Sequence, residues 1–145
     1  MAKVLVSQNL SAPADAVWEA IGKFSTINSW LPPIASCEAD GDAVGHMRKL
    51  TTVDGAVVYE RLDSIDDGAR TYSYSITDSP LPLSGYQATI SVAEGDGGSS
   101  MIHWSSEFDP VGAPEAEVVA VVEGIYQAGF DALKERFGAA ESGKN

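Results

Sequence analysis

Residues 115–137 read EAEVVAVVEGIYQAGFDALKERF, and this stretch decides the fold because it is the one long helical pattern in a chain otherwise patterned mostly as strands. Its apolar residues recur at spacings of three and four, which is typical of an amphipathic helix. The expected apolar stripe consists of Val118, Val121, Val122, Ile125, Gly129, Ala132 and Leu133. Pro114 and Gly138 flank the pattern at the ends that each residue type favours. A helix this long needs an apolar surface to cover its stripe.

Residues 34–109 supply that surface, since short apolar runs alternate there with turn residues. The Asp-Gly pair at 54–55 is a strong signal for a tight hairpin, and glycine-containing turns follow at 66–68 and 95–98. This regular spacing predicts about six antiparallel strands. Residues 3–10 show the same alternation and predict one more strand.

Two short helices are expected between the first strand and the others. The SAPAD sequence at 11–15 carries a proline and an aspartate suited to a first helical turn, and a second helix is predicted over 25–29. The predicted fold class is α+β, with a curved antiparallel sheet of about seven strands wrapped around the C-terminal helix. We expect one domain over residues 1–138 and a flexible tail over 139–145.

Composition excludes several classes of protein. The chain has 145 residues, of which 44% are hydrophobic, as expected for one globular domain. Its formal net charge of -12 argues against binding to nucleic acids or to anionic lipid surfaces. No apolar run approaches the ~20 residues of a membrane span, so stable membrane insertion is not expected. With no signal-like N-terminal segment, the expected location is the cytoplasm.

The sequence offers little metal or nucleophile chemistry. Cys37 is the single cysteine, which excludes an internal disulfide and a cysteine metal cluster. His46 and His103 fall on strand faces expected to point outward, without a partner at metal-ligand spacing. No glycine-rich phosphate loop or nucleophile elbow is present. We therefore expect no metal and no cofactor.

Strand alternation indicates which side chains face the helix, because successive residues point to opposite faces of a sheet. Ile102, Trp104 and Phe108, for example, share one face. With neighbouring loop and helix positions, the residues expected to line an internal cavity are Trp30, Arg48, Leu50, Glu60, Tyr74, Ile76, Leu81, Leu83, Tyr86, Ala88, Trp104, Ser106, Phe108, Val121, Ile125 and Gly129.

The polar members of this set carry the functional hypotheses. An isolated buried charge is very costly, so an inward Glu60 should be paired, hydrated or protonated. Arg48 lies on the neighbouring strand and could pair with it. The two residues then either form a structural ion pair or, with Tyr86, anchor the polar end of an apolar ligand. Trp104 taken alone fits a plain core better than a ligand contact, and Gly129 fits close packing or room for a ligand.

The order of elements and several short motifs resemble the START-like superfamily, whose members have the helix-grip fold. This superfamily includes the birch-pollen allergen, plant abscisic-acid receptors and bacterial polyketide cyclase/dehydratase-like proteins. The sequence resembles the bacterial proteins more than it resembles the other members. The motifs are Ala12-Pro13, Val17-Trp18, Trp30-Leu-Pro-Pro33, Gly45-His-Met-Arg48, Glu60-Arg61-Leu62, Asp66-Asp67, Tyr72-Ser-Tyr-Ser-Ile76, Pro80-Leu-Pro82, Tyr86, Trp104-Ser-Ser106 and Phe108-Asp-Pro110. The resemblance implies an internal ligand cavity, but the tight turn at 53–55 replaces the longer gate loop of the receptors.

Three functions are compatible with these observations. The first is binding or transport of a small hydrophobic molecule, lipid or polyketide-like. The second is a cyclase or dehydratase, in which Glu60 acts as general acid or base and Tyr86 or Arg48 stabilises an enolate. The third is a protein-interaction module that uses the loop Pro80-Leu81-Pro82. The sequence leaves open whether the chain is a monomer or a homodimer.

Overall fold

The computed structural model describes residues 1–139, and a seven-stranded antiparallel sheet forms most of this region. The strands are β1 (Ala2–Leu10), β2 (Ile34–Ala39), β3 (Met47–Thr52), β4 (Val57–Asp66), β5 (Thr71–Asp78), β6 (Leu83–Glu94) and β7 (Ser100–Pro110). Their spatial order is β1-β7-β6-β5-β4-β3-β2. Helix α1 (Ala14–Ile21) and a 3₁₀ segment (Phe24–Ser29) follow β1, and helix α2 (Glu115–Phe137) ends the fold. The predicted helix-grip architecture is confirmed.

Helix α2 begins and ends where the sequence predicts. Pro114 is extended at its N-terminus, acidic residues occupy the first turn, and Lys134 and Arg136 occupy the last. Opposite charges at the two ends suit the helix dipole. Gly138 terminates the helix with a φ of 82°, which glycine adopts without strain.

The buried face of α2 differs in part from the predicted stripe. It consists of Val118, Val122, Tyr126, Gly129, Phe130 and Leu133. Val121 is 46% exposed, so the expectation that it faces inward is wrong. Neighbouring helical residues are about 100° apart around the axis, and the sheet covers the side that carries Val122.

Hairpin register brings the polar pair together. The turn at 53–56 joins β3 to β4 and sets Arg48 directly opposite Glu60. Residues opposite each other in an antiparallel pair point to the same face, so both side chains enter the interior. The next strand continues this row, because Glu60 pairs with Ile76 of β5.

The end of the described region is attached to the domain. The Ser11 amide donates a 2.8 Å hydrogen bond to the Gly138 carbonyl, and Ala139 forms a single bridge with Leu10. The first residue of the expected flexible tail is therefore paired, while residues 140–145 of that tail lie outside the described residues. Within residues 1–139, no helix is long and apolar enough to cross a membrane.

Candidate functional site

A cavity of about 100 Å³ lies inside the fold, between the sheet and the N-terminal half of α2. Its wall consists of Ile27, Leu31, Pro33, Ile34, Leu50, Thr52, Ala56, Val58, Glu60, Tyr74, Ile76, Pro80, Leu81, Tyr86, Trp104, Val122, Ile125 and Tyr126. Seven of these are only partly buried or exposed, and we call four of the seven, Thr52, Ala56, Pro80 and Leu81, the rim. Most of the wall is aliphatic or aromatic, so the cavity favours an apolar occupant.

The structure brings half of the predicted cavity residues to this wall. These are Leu50, Glu60, Tyr74, Ile76, Leu81, Tyr86, Trp104 and Ile125. The other expected wall residues are Trp30, Arg48, Leu83, Ala88, Ser106, Phe108, Val121 and Gly129, and the structure places them elsewhere. Val121 faces solvent and Leu83 is half-buried beside a different surface depression, whereas the remaining six are buried in the packed core.

Arg48 and Glu60 form a buried ion pair. The Arg48 Nε donates a 2.8 Å hydrogen bond to Glu60 Oε1, and Arg48 Nη2 lies 2.6 Å from the same oxygen. Arg48 is 1% exposed and Glu60 is 5% exposed. A pair this deeply buried needs good geometry to offset the cost of removing both charges from water.

Arg48 lies behind the wall and is held on several sides, although its Nη2 makes no well-oriented hydrogen bond to a described residue. Its Nη1 donates a 2.7 Å hydrogen bond to the Phe24 carbonyl, and its guanidinium lies 4.0 Å from the Phe24 ring centroid and 4.9 Å from that of Tyr74. These contacts fix the cation and leave it outside the cavity wall. Arg48 thus holds Glu60 from behind the wall, and its predicted contact with a ligand stays a prediction.

Glu60 presents the other half of its carboxylate to the cavity. Both contacts with Arg48 use Oε1, and no residue among 1–139 hydrogen-bonds Oε2. Burial raises the pKa of Glu60 more than the Arg48 guanidinium lowers it. One acceptor oxygen in a low-dielectric, largely apolar wall is a strong recognition element for a ligand that carries a donor.

Three tyrosines and a tryptophan form a hydrogen-bonded chain at the inner end of the cavity. Trp104 Nε1 donates a 3.1 Å hydrogen bond to the Tyr74 hydroxyl, which lies 3.4 Å from the Tyr86 hydroxyl. The Tyr86 hydroxyl in turn bonds that of Tyr126. Burial raises the pKa of all three phenols, so they remain protonated and the chain is uncharged.

The region beyond this chain is closely packed. The Trp30 and Trp104 rings lie 5.4 Å apart between centroids, over Gly129 of α2. A Cβ at position 129 would lie 2.7 Å from Leu31 Cδ1 and 3.0 Å from the Trp30 ring. Of the two predicted roles for Gly129, the structure supports close packing.

A larger depression of about 520 Å³ lies on the outer face of the sheet. Its floor includes the Ser73 and Thr89 hydroxyls, which bond each other at 2.8 Å, and charged pairs such as Arg61–Asp63 stand at its side. These groups already have partners and face water. We therefore place the candidate site in the smaller internal cavity, where one oxygen of the Glu60 carboxylate has no protein partner among the described residues.

Comparison with known proteins identifies the family. A family model described as polyketide cyclase / dehydrase and lipid transport matches residues 1–138. The chain belongs to this family. The abscisic acid receptor PYL2 of Arabidopsis thaliana is 31% identical over 96 residues, which are 62% of this chain and 50% of the receptor. The Arabidopsis receptor PYL6 is 29% identical over 98 residues, covering 63% and 46%. The chain thus spans about half the length of these plant receptors.

Solved bacterial structures of the same shape cover nearly the whole chain. Protein XoxI from Bacillus cereus superposes with a TM-score of 0.90 at 35% identity, over 94% of this chain and 96% of that protein. An uncharacterized protein from Bacillus thuringiensis gives a TM-score of 0.88 at 36% identity, over 94% and 98%. The predicted resemblance to this superfamily is confirmed.

Ten wall residues are absent from the predicted set, although strand alternation places Val58 and Thr52 on inward faces and Pro80 belongs to a loop predicted as a possible lip of the cavity. Val58 shares a strand face with Glu60, so alternation carried a signal for it. Tyr126 lies four positions after Val122, so the two residues share one face of the helix. A search for apolar residues alone passes over Tyr126 because tyrosine carries a hydroxyl. Pro33 and Ala56 lie in turns, where periodicity gives no direction.

Proposed function

We propose that this protein binds one small, largely apolar molecule bearing a hydrogen-bond donor, in the internal cavity, with Glu60 as the polar anchor. The observation that carries the proposal is the unpartnered Oε2 of a buried carboxylate in an otherwise mostly apolar wall. This oxygen is free to accept a hydrogen bond from a ligand donor, and hydrogen bonds to charged groups are the stronger ones. Arg48 holds the carboxylate in place, so the acceptor is oriented before a ligand arrives.

The size of the cavity narrows the ligand class. Pockets for drug-sized molecules usually enclose about 300–1,000 Å³, whereas this cavity encloses about 100 Å³. An apolar protein cavity of about 150 Å³ accepts benzene. This cavity is smaller than that one, so the expected occupant is no larger than about a single ring, and smaller than a lipid or an assembled polyketide.

The relatives support a role in ligand binding. The plant relatives are by name receptors for abscisic acid, and the family description includes both lipid transport and cyclase chemistry. A shared fold does not transfer a ligand, so the ligand class proposed for this chain rests on its own cavity.

Isothermal titration calorimetry with phenol and benzene tests the proposal. Phenol should bind at least several-fold more tightly than benzene, since hydrogen bonds to charged groups contribute about 1.5–3 kcal/mol. Ala56→Phe should abolish binding because the new ring fills the rim. Ala93→Phe is the matched control, since Ala93 is an exposed strand residue away from the wall, and should leave binding intact. Equal binding of phenol by both variants would contradict the proposed site.

Acid–base catalysis is a second candidate, favoured by the raised pKa and free oxygen of Glu60. Oε2 could remove a proton from the carbon beside a ketone, and Tyr86 is the predicted enolate stabiliser that lies on the wall. Deuterium exchange into cyclohexanone, a ketone of the right size, measures this step. Glu60→Gln should abolish enzyme-dependent exchange, while Glu38→Gln, a change on the exposed side of β2, should not. Exchange no faster than in buffer would exclude this chemistry for small ketones.

A further inference from the structure

Tyr126 of α2 stands at the inner boundary of the cavity. It is 1% exposed, belongs to the cavity wall, and occupies the helix face between Val122 and Gly129. On one side of it the wall is aliphatic and leaves space, and on the other the interior is closely packed around Gly129.

The Tyr126 ring is held by two independent contacts. It stacks on Trp104 with ring centroids 4.0 Å apart and an interplanar angle of 12°. Its hydroxyl bonds that of Tyr86, which continues the chain to Tyr74 and Trp104 Nε1. Stacking on Trp104 fixes the orientation of the Tyr126 ring, and the hydrogen bond to Tyr86 keeps the ring from sliding across the Trp104 face. A side chain fixed in this way does not move aside at low cost.

The geometry points to Tyr126 as the residue that sets the upper size limit of the ligand. We infer that its ring occupies the space that a second ring of a ligand would need, which restricts the site to molecules of about one ring. This inference rests on the proposed function and specifies it. The limit comes from a single side chain, because a ring removed from this position leaves a space adjoining the existing cavity.

The surroundings predict what an enlarged site would recognise. Ser106 of β7 is buried on the same strand face as Trp104, on which Tyr126 stacks, and its hydroxyl lacks a hydrogen-bond partner among the described residues. Without the ring, Ser106 would become a second polar group at the inner end of the cavity. A ligand with two fused rings and a hydroxyl should fit the enlarged space.

Titration calorimetry with phenol and 1-naphthol, which carry one ring and two, tests this assignment. Wild type should bind phenol and bind 1-naphthol at least tenfold more weakly. Tyr126→Ala should bind 1-naphthol at least tenfold more tightly than wild type does. Tyr126→Phe, which keeps the ring and removes only the hydroxyl, is the matched control and should retain the preference of wild type. If the alanine variant fails to fold, Tyr126→Val serves in its place, because valine also removes the ring but loses less packing. This variant should likewise bind 1-naphthol more tightly than wild type does.

The outcomes separate this inference from the proposed function. If wild type binds 1-naphthol as tightly as phenol, ligand binding stands and the size limit is wrong. If wild type binds phenol but the folded alanine and valine variants gain no affinity for 1-naphthol, Tyr126 does not set the limit. If neither wild type nor any variant binds either probe, the proposed function fails and this inference fails with it.

Discussion

The two halves of the interior are built from the same sheet face and the same helix, yet only one of them is filled. Towards the C-terminal end of α2, Trp30 and Trp104 pack over Gly129 so closely that a single added methyl would collide with Leu31. Towards the N-terminal end, the short aliphatic side chains of α2 and the facing strands leave about 100 Å³. Apolar composition is similar in the two halves, so it does not determine where a cavity forms.

The two halves differ in the size of the side chains that extend into the space between the sheet and the helix. At the filled end, the rings of Trp30, which follows the 3₁₀ segment, and of Trp104 on β7 meet above a glycine. At the open end, aliphatic residues such as Val122 and Ile125 face Leu50 and Val58 across a gap. Side chains that line an empty apolar space lack van der Waals contacts on that side, and a bound ligand can supply these contacts.

The largest expected effect follows from breaking the polar pair at the wall of the open half. Arg48→Met leaves the Glu60 carboxylate buried without a cation and should lower the free energy of unfolding by about 3–5 kcal/mol. Urea denaturation measures this change. Lys49→Met is the control, because the Lys49–Glu38 pair is exposed and separated by 3.8 Å, and it should cost no more than about 1 kcal/mol.

A double substitution distinguishes the loss of the Arg48–Glu60 ion pair from the loss of side-chain packing as the cause of the lower stability. Adding Glu60→Leu to Arg48→Met removes both charges and should restore most of the lost stability, since buried pairs are often replaceable by apolar residues. If Arg48→Met alone costs less than about 1 kcal/mol, Glu60 is already neutral or hydrated without its partner.

Alanine substitutions at the two glycines of α2, Gly124 and Gly129, compare a position with free space around it with a closely packed one. Gly124 has nothing within 4 Å of its added Cβ, so Gly124→Ala should stabilise the protein by up to about 1 kcal/mol through helix propensity. Gly129→Ala gains the same propensity but collides with Leu31 and Trp30. Its free energy of unfolding should be lower than that of Gly124→Ala by about 1–3 kcal/mol. Equal stabilities would show that the filled half is loosely packed.

The smallest expected effect is a pH dependence at the wall. Burial raises the pKa of Glu60, so folding makes its protonated form more favourable than it is in the unfolded chain. This contribution to stability is fully present below about pH 4, the range of an unfolded glutamate, and is lost as pH rises through the raised pKa. The stability of wild type relative to Glu60→Gln should fall accordingly, by about 1.4 kcal/mol for each unit of the shift. A difference that increases with pH would show that Arg48 outweighs burial.

The sequence predicted the strands, the hairpins and the position of the polar pair because these depend on local patterns. The Asp-Gly turn at 54–55 determines register, and register sets Arg48 opposite Glu60. Alternation alone then identified Leu50 and Ile76 as wall residues.

The distinction between cavity and packed core could not be predicted in this way. Gly129 lies under Trp30 and Leu31, which are about a hundred positions away in the chain, and no periodicity reports such a contact. The helix face was misassigned at Val121 because the apolar residues of α2 span more than the covered side. Tyr126 was overlooked because its hydroxyl removed it from an apolar pattern, although it is almost completely buried.

The most direct test of the account is a nuclear magnetic resonance titration of the ¹⁵N-labelled protein with phenol, following every backbone amide. We expect saturable shifts at the open half, at Leu50, Val58 and Ile125, with little change at Gly129 and Phe130 in the filled half. Shifts centred on the filled half or on the outer face of the sheet, or no saturable shifts at all, would contradict it.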